Sequence, residues 1–329
     1  MLPYLEEFRR VFNPFMEQQF LTTSPQTLYE PIRYLMNLGG KRLRPYALWL
    51  TAYSYDSSKD KLAVPAAYAL ELFHSFTLVH DDIMDEAPLR RGQPTVHARF
   101  DTNTALLSGD AMMVHCMEYL LNHYPDPIAL ALSRELARTA VGVCQGQQLD
   151  MDFEKEKHVS ISDYLKMIED KTAILLGSAL RMGAMVAGAD LQDQDSLYQY
   201  GKQTGLAFQI QDDYLDAFGG TAFGKQAGGD ILQHKKTFLY LKGWELCPPS
   251  KREQYYTLYH QPVSPGKEEQ DKVNAVKEWW DEWGVVEITR KYLLELEESA
   301  QASLFRTKLT ETGIHQLLEL GNALVWRKT

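Results

Sequence analysis

Residues 66–85 read Ala-Ala-Tyr-Ala-Leu-Glu-Leu-Phe-His-Ser-Phe-Thr-Leu-Val-His-Asp-Asp-Ile-Met-Asp. Ala66, Ala69, Leu70, Phe73, Phe76 and Thr77 recur at three- and four-residue steps, the spacing of a helix face turned to a core. The helix runs directly into Asp81-Asp82-Ile83-Met84-Asp85, where Asp81 and Asp85 stand one turn apart on the same side. Carboxylates stacked in this way repel unless a cation lies between them; an isolated example also reads as a solvated acidic helix end. The pattern returns at Asp212-Asp213-Tyr214-Leu215-Asp216, again straight after an apolar helical run, Leu206-Ala207-Phe208-Gln209-Ile210. Two such clusters, each at the inner end of a mostly apolar helix, predict opposed acidic walls around hard divalent cations. Oxygen ligands point to Mg²⁺ over zinc.

Outward from these clusters, helical spacing dominates. It predicts a helix from near residue 103 through Met112, Met113 and Leu120, and another from an Asp126-Pro127 start to about residue 148. Ser160 with Asp163 forms a capping box that opens one long helix through Lys171 toward residue 187. Further helices are expected over 193–218, over 231–246, and repeatedly from Lys267 to the end. Convincing alternating strands are absent, and loops are expected at 97–101, 152–158, 219–229 and 260–266. With no long linker and no fixed-period repeat, the expectation is a single all-α domain over residues 1–329, a helical bundle with loops at its ends.

Composition agrees with a globular core: 45% of residues are hydrophobic and 24% charged. A net charge of −10 argues against a non-specific nucleic-acid binder, which normally carries a basic face. Three cysteines, Cys116, Cys144 and Cys247, have neither an even count nor CxxC spacing, so a disulfide framework or zinc site is disfavoured and a reducing cytosol fits. The first residues lack the basic start and apolar core of a signal peptide, and no apolar run reaches the ~18 residues of a membrane span. A soluble cytoplasmic protein is the expectation.

Metal-bound carboxylates of this kind need an anionic partner, and matching cations are present. Gly39-Gly40-Lys41-Arg42-Leu43-Arg44-Pro45 sets basic residues beside a glycine pair, a pattern that a helix C-terminus also explains in part. Arg90-Arg91-Gly92 follows the first acidic cluster, and Lys171, Lys225 and Lys235 flank or follow the second. Arginine forks suit phosphate oxygens and lysines serve as point charges.

Taken together, GGKRLRP, HSFTLVHDDIMD, RRGQPTVH, KTA, FQIQDDYLD and GGDILQHKK, in this order from Gly39 to Lys236, resemble the trans-type isoprenyl diphosphate synthase, or polyprenyl synthetase, family. The resemblance implies an all-α isoprenoid-synthase bundle around a deep central cavity, usually a homodimer, with three Mg²⁺ ions per active site. It implies head-to-tail condensation of isopentenyl diphosphate with an allylic diphosphate (dimethylallyl, geranyl or farnesyl), with no nucleic-acid partner. Asp81, Asp85 and Asp212 match metal ligands, with Asp82, Asp213 and Asp216 in supporting places. Lys41, Arg44, His74 and Arg91 match the positions that hold the diphosphate of isopentenyl diphosphate. Arg90, Lys171, Thr172, Gln209, Lys225 and Lys235 match those that hold or sense the allylic diphosphate. His80 is taken as structural. In some relatives a basic tail, here Trp326-Arg327-Lys328-Thr329, closes over the site.

Chain length is expected to be set by Phe73, Phe76 and Thr77, with Phe76 five residues before Asp81 and so about 7.5 Å deeper along the helix. A small Thr77 after Phe76 is the pattern of C20 producers; geranylgeranyl diphosphate is the expected product and farnesyl diphosphate the near alternative. Two other readings stand at this point: a terpene cyclase-like enzyme, and a non-catalytic subunit of a heteromeric synthase.

Overall fold

The computed structural model describes residues 2, 4–20, 23–219 and 228–326. Its elements are α1 Leu5–Glu17, α2 Gln26–Asn37, α3 Leu43–Tyr55, α4 Val64–Met84, β1 Leu89–Arg90, β2 Gln93–Pro94, α5 Val96–Arg99, α6 Thr102–His123, α7 Asp126–Lys155 and α8 Ile161–Ile168. After a π-turn at Glu169–Ala173 come α9 Ile174–Ala187, α10 Leu191–Phe218, α11 Gly229–Leu232, α12 Phe238–Leu246, α13 Arg252–His260, α14 Lys267–Glu282, α15 Val285–Leu304 and α16 Glu311–Val325. Two compact units emerge. One comprises Met1–Ala140, Ser178–Tyr198 and Arg306–Leu320; the other comprises Val141–Gly177, Gln199–Phe305 and Gly321–Thr329.

In the first unit α4 packs against α1, α2, α3, α5 and α6. Every residue from Val64 to Phe73 is buried, so the predicted single stripe understates this helix, which is enclosed on all sides over its first three turns. Glu71 lies within that stretch and is answered by the Arg42 guanidinium. Beyond Ser75 the buried set thins to Val79 and Asp82, and the helix presents one face only. α6 packs on it and buries Ala105, Ser108, Gly109, Met112 and Cys116; a Cβ at Gly109 would collide with the His80 ring. Gly109 is therefore where α6 admits His80.

The second unit has its own core, centred on Ile210, Phe238, Leu241, Tyr255, Val276 and Trp280. The Ser160–Asp163 capping box forms as read: Ser160 Oγ accepts from Asp163 N at 3.1 Å and Asp163 Oδ2 accepts from Ser160 N at 3.4 Å. The long helix expected after it is interrupted by the π-turn.

Other expectations shift locally. α7 begins at Asp126 itself, the residue read as its cap, with Ala129 N donating to Pro125 O, and it continues into the expected 152–158 loop as far as Lys155. The 97–101 loop contains most of α5. The 231–246 helix is two helices, because His234 adopts φ +58° and Thr237 caps α12. A two-stranded ribbon pairs Leu89 with Pro94 and Arg90 with Gln93, its turn residues Arg91 and Gly92 at φ +54° and +74°. Both turn residues are left-handed, as a two-residue type I′ hairpin requires, and strands two residues long are too short to show alternation in sequence. Among the described residues no helix is long and apolar enough to cross a membrane.

Candidate active site

In the first unit, Asp81 and Asp85 end α4, where the last turn contains no basic residue. Acids at a helix C-terminus face the negative end of the backbone dipole, a placement that disfavours them by about 0.3–1 kcal/mol each unless a cation answers. Asp82, 2% exposed, turns away from them and takes a two-pronged pair from Arg90, with Nε–Oδ2 and Nη2–Oδ1 both at 2.7 Å. The hairpin thus delivers Arg90 to the end of α4.

At the hairpin's turn, Arg91 donates to the carbonyl of Gly39, and a Cβ at Gly40 would stand 2.8 Å from its Cζ. The glycine pair is a seat for Arg91, beyond the helix-stop role its composition suggests. Arg42 is occupied, donating to Glu71 and to the Met36 carbonyl. Lys41 is exposed two residues before α3. Arg44 donates from Nη1 to His74 Nε2 at 3.2 Å, while its buried Nε has no hydrogen-bond partner. Burial, then the neighbouring Arg44, Arg91, Arg90 and Arg42, push the His74 pKa well below its ordinary value. The imidazole is neutral with its proton on Nδ1, since Arg44 can only donate. Phe73 is fully buried and lies 5.8 Å from Phe76, which meets His80 edge-on at 4.7 Å; Thr77 Oγ1 donates back to His74 O at 2.8 Å. Met112 is wholly buried and Met113 half-buried.

In the second unit the π-turn carries Lys171 and Thr172. Lys171 Nζ pairs with Asp150 Oδ2 at 2.5 Å on α7, and Thr172 Oγ1 donates to Gln209 Oε1 at 3.4 Å on α10. One turn before each partner stands a glycine pressed on the π-turn backbone: a Cβ at Gly146 would be 2.7 Å from Lys171 Cα, and one at Gly205 2.7 Å from Ala173 Cα. π-turns concentrate at functional sites because the inserted residue re-aims side chains. Asp150, Gly146 and Gly205 were not singled out from sequence. The signal available was the repeated spacing, a glycine four residues before Asp150 and before Gln209.

The second acidic cluster lies in the last two turns of α10, again with no basic residue in the last turn. Asp212 is exposed. Asp213 is buried and accepts from Tyr164 Oη at 2.5 Å, Phe238 N at 3.2 Å and Gln209 Nε2 at 3.3 Å. Burial pushes its pKa up to about 7, against the pull of the Tyr164 hydroxyl. Asp216 Oδ2 accepts from Asp230 N at 2.9 Å, capping α11, and Lys235 Nζ lies 3.2 Å from Asp230 Oδ1. Lys225 and the tail residues 327–329 lie outside the described residues.

Among the described residues no three His, Cys, Asp or Glu side chains gather into a metal-holding group. The donors at the end of α4 are carboxylates only, few in number, and placed where a helix end needs positive charge. That donor set fits Mg²⁺, which keeps waters and substrate phosphate oxygens in its shell and is seldom enclosed by protein alone.

The polyprenyl synthetase family model matches residues 25–278. A geranylfarnesyl diphosphate synthase of Natronomonas pharaonis is 35% identical over 332 residues, covering 96% of this chain and 94% of that protein. A crystal structure of a geranylgeranyl pyrophosphate synthase superposes with a TM-score of 0.92 at 40% identity, covering 99% of each chain. A geranylgeranyl pyrophosphate synthase from Corynebacterium glutamicum, complexed with isoprenyl diphosphate and magnesium, has a TM-score of 0.83 at 26% identity, with 99% of each chain covered. With the isoprenoid-synthase helical fold and the motifs of Gly39 to Lys236 in place, the chain belongs to the polyprenyl synthetase family and is a prenyltransferase that builds a trans-isoprenyl diphosphate.

Proposed function

We propose that the chain makes geranylgeranyl diphosphate as its main product, with Mg²⁺ held by Asp81, Asp85 and Asp212. Three ions per site is the stoichiometry adopted from the family resemblance. The observation that carries the residue assignment is Arg44: its buried Nε has no partner while its Nη1 donates to a neutral His74, which fits an oxyanion seated against the pair.

Lys41, Arg44, His74 and Arg91 are assigned to the diphosphate of isopentenyl diphosphate. With Nε2 occupied by Arg44, His74 offers Nδ1–H as a donor without adding charge. Arg90, Lys171, Thr172, Gln209, Lys225 and Lys235 are assigned to the allylic diphosphate. Bound Mg²⁺ supplies positive charge against the charge that develops on the leaving diphosphate. The allylic C–O bond breaks with its electron pair leaving on the diphosphate. The double bond of isopentenyl diphosphate then supplies the pair for the new C–C bond, and a proton passes to the released pyrophosphate. Lysines and arginines hold charge here, and no side-chain nucleophile takes part.

Phe76 is assigned to the floor beneath the growing chain. Farnesyl diphosphate is the second reading, favoured by the Phe73 and Phe76 rings lying only 5.8 Å apart. A homodimer is proposed on Leu107, Val114 and Leu121, which are 61%, 68% and 50% exposed at seven-residue spacing on α6. The whole of 1–329 is proposed to act as one domain, supported by the 99% coverage of the geranylgeranyl pyrophosphate synthase structure. Three unpaired cysteines, Cys144 exposed, support a cytoplasmic setting. The deciding experiment is mass analysis of dephosphorylated products made from dimethylallyl, geranyl and farnesyl primers. A C20 alcohol from all three is expected; products ending at C15 or beyond C20 would reject the assignment.

A further inference from the structure

Lys272, on α14, is 3% exposed, yet its ammonium meets no acid among the described residues. Its two contacts are donations to His234 Nε2 at 3.0 Å and to the Gln261 carbonyl at 2.9 Å. A cation buried without a counter-charge is a poor choice for packing alone, where an apolar side chain of the same length serves better. Its partner is also an expensive choice, since His234 holds φ +58° in a region that glycine takes freely. Two unfavourable choices that meet in one hydrogen bond indicate a constraint on what they hold.

What they hold is the turn from α11 to α12, and its central residue is Lys235. Lys235 N donates to Asp230 O at 2.9 Å, and its carbonyl accepts from Thr237 N at 3.0 Å and from Tyr259 Oη at 2.6 Å. Asp230 is tied through its own amide to Asp216 of the second acidic cluster. The turn is thus anchored to α10 on one side and, through His234, to the Lys272 ammonium on the other. For Nε2 to accept, His234 is neutral, so the link is a directed hydrogen bond between two groups that carry one positive charge in total.

We propose that Lys272 is a positioning residue which, through His234, sets Lys235 at the height of the allylic diphosphate. The inference rests on the assignment of Lys235 to that diphosphate. It is tested on the full chain with Lys272→Met, His234→Gly and the double variant, measuring KM for geranyl and isopentenyl diphosphates and the thermal melt. Glycine accepts φ +58° without strain, so His234→Gly keeps the turn and removes only the side chain.

The expected result is a rise of roughly ten-fold in KM for geranyl diphosphate in each single variant, no further rise in the double, and KM for isopentenyl diphosphate within about two-fold. An unchanged KM for geranyl diphosphate in His234→Gly, equal effects on both substrates, or additive single effects would overturn the inference. Should Lys272→Met not fold, His234→Gly decides alone. Lys235→Met separates the two levels: if it leaves KM for geranyl diphosphate unchanged, the assignment beneath fails and the inference with it. If it raises that KM while the other variants do not, only the inference fails.

Discussion

The Cα of Lys171 lies 2.7 Å from where a Cβ on Gly146 would stand, so α7 and the π-turn touch backbone to backbone. Lys171 then pairs with Asp150 one turn further along α7. Gly146→Ala must push the π-turn away or straighten it, and overpacking of this kind costs about 1–3 kcal/mol, occasionally more. We expect a lowered urea midpoint together with a raised KM for the allylic substrate. Gly183→Ala is the control: its Cβ would stand 2.8 Å from Thr51 Cβ, away from the π-turn. It should lower stability without changing the ratio of the two KM values.

Asp81→Ala and Asp212→Ala should each lower turnover by on the order of 10²–10³ while circular dichroism stays helical. Asp81 lies in the last turn of α4, whereas Asp212 lies six residues before the end of α10. Near wild-type turnover in saturating Mg²⁺ would refute the assignment.

Phe76 is half-buried and Phe73 fully buried on α4. Phe76→Ala should lengthen the product by at least one isoprene unit, and Phe73→Ala should add to it. Thr77→Phe should shorten it. Chromatography of the dephosphorylated alcohols reads the distribution, and no change in Phe76→Ala would place the floor elsewhere.

His74 is held neutral by burial and by the surrounding arginines, its pKa well below 6.5. The unfolded chain, with an ordinary histidine pKa of about 6.5, therefore binds the extra proton at acid pH. Stability from this group is fully present above about pH 6.5 and is lost as pH falls below it, by up to about 1.4 kcal/mol per pH unit. Urea midpoints between pH 7.5 and 5, both values chosen to bracket about 6.5, should fall less steeply in His74→Gln than in wild type.

Val114 is 68% exposed on the stripe formed with Leu107 and Leu121. Val114→Glu should convert a dimer to monomers without loss of helicity, read by light scattering after size exclusion. A monomeric wild-type chain would reject the dimer.

Much of the architecture is written within a few residues of chain. The face of α4, the Ser160–Asp163 box and the paired acidic clusters follow from helical periodicity and local hydrogen bonding, and the order of the motifs was enough to indicate the family. What packing alone decided are the places where the backbone leaves the regular helix. The π-turn forms between glycines at 146 and 205, and the left-handed His234 is held by a lysine on α14. Arg90 is committed to Asp82 only because a two-residue hairpin turns it back. Each needs partners distant in sequence: an inserted helical residue or a left-handed turn costs energy locally, and only contacts from other elements offset that cost.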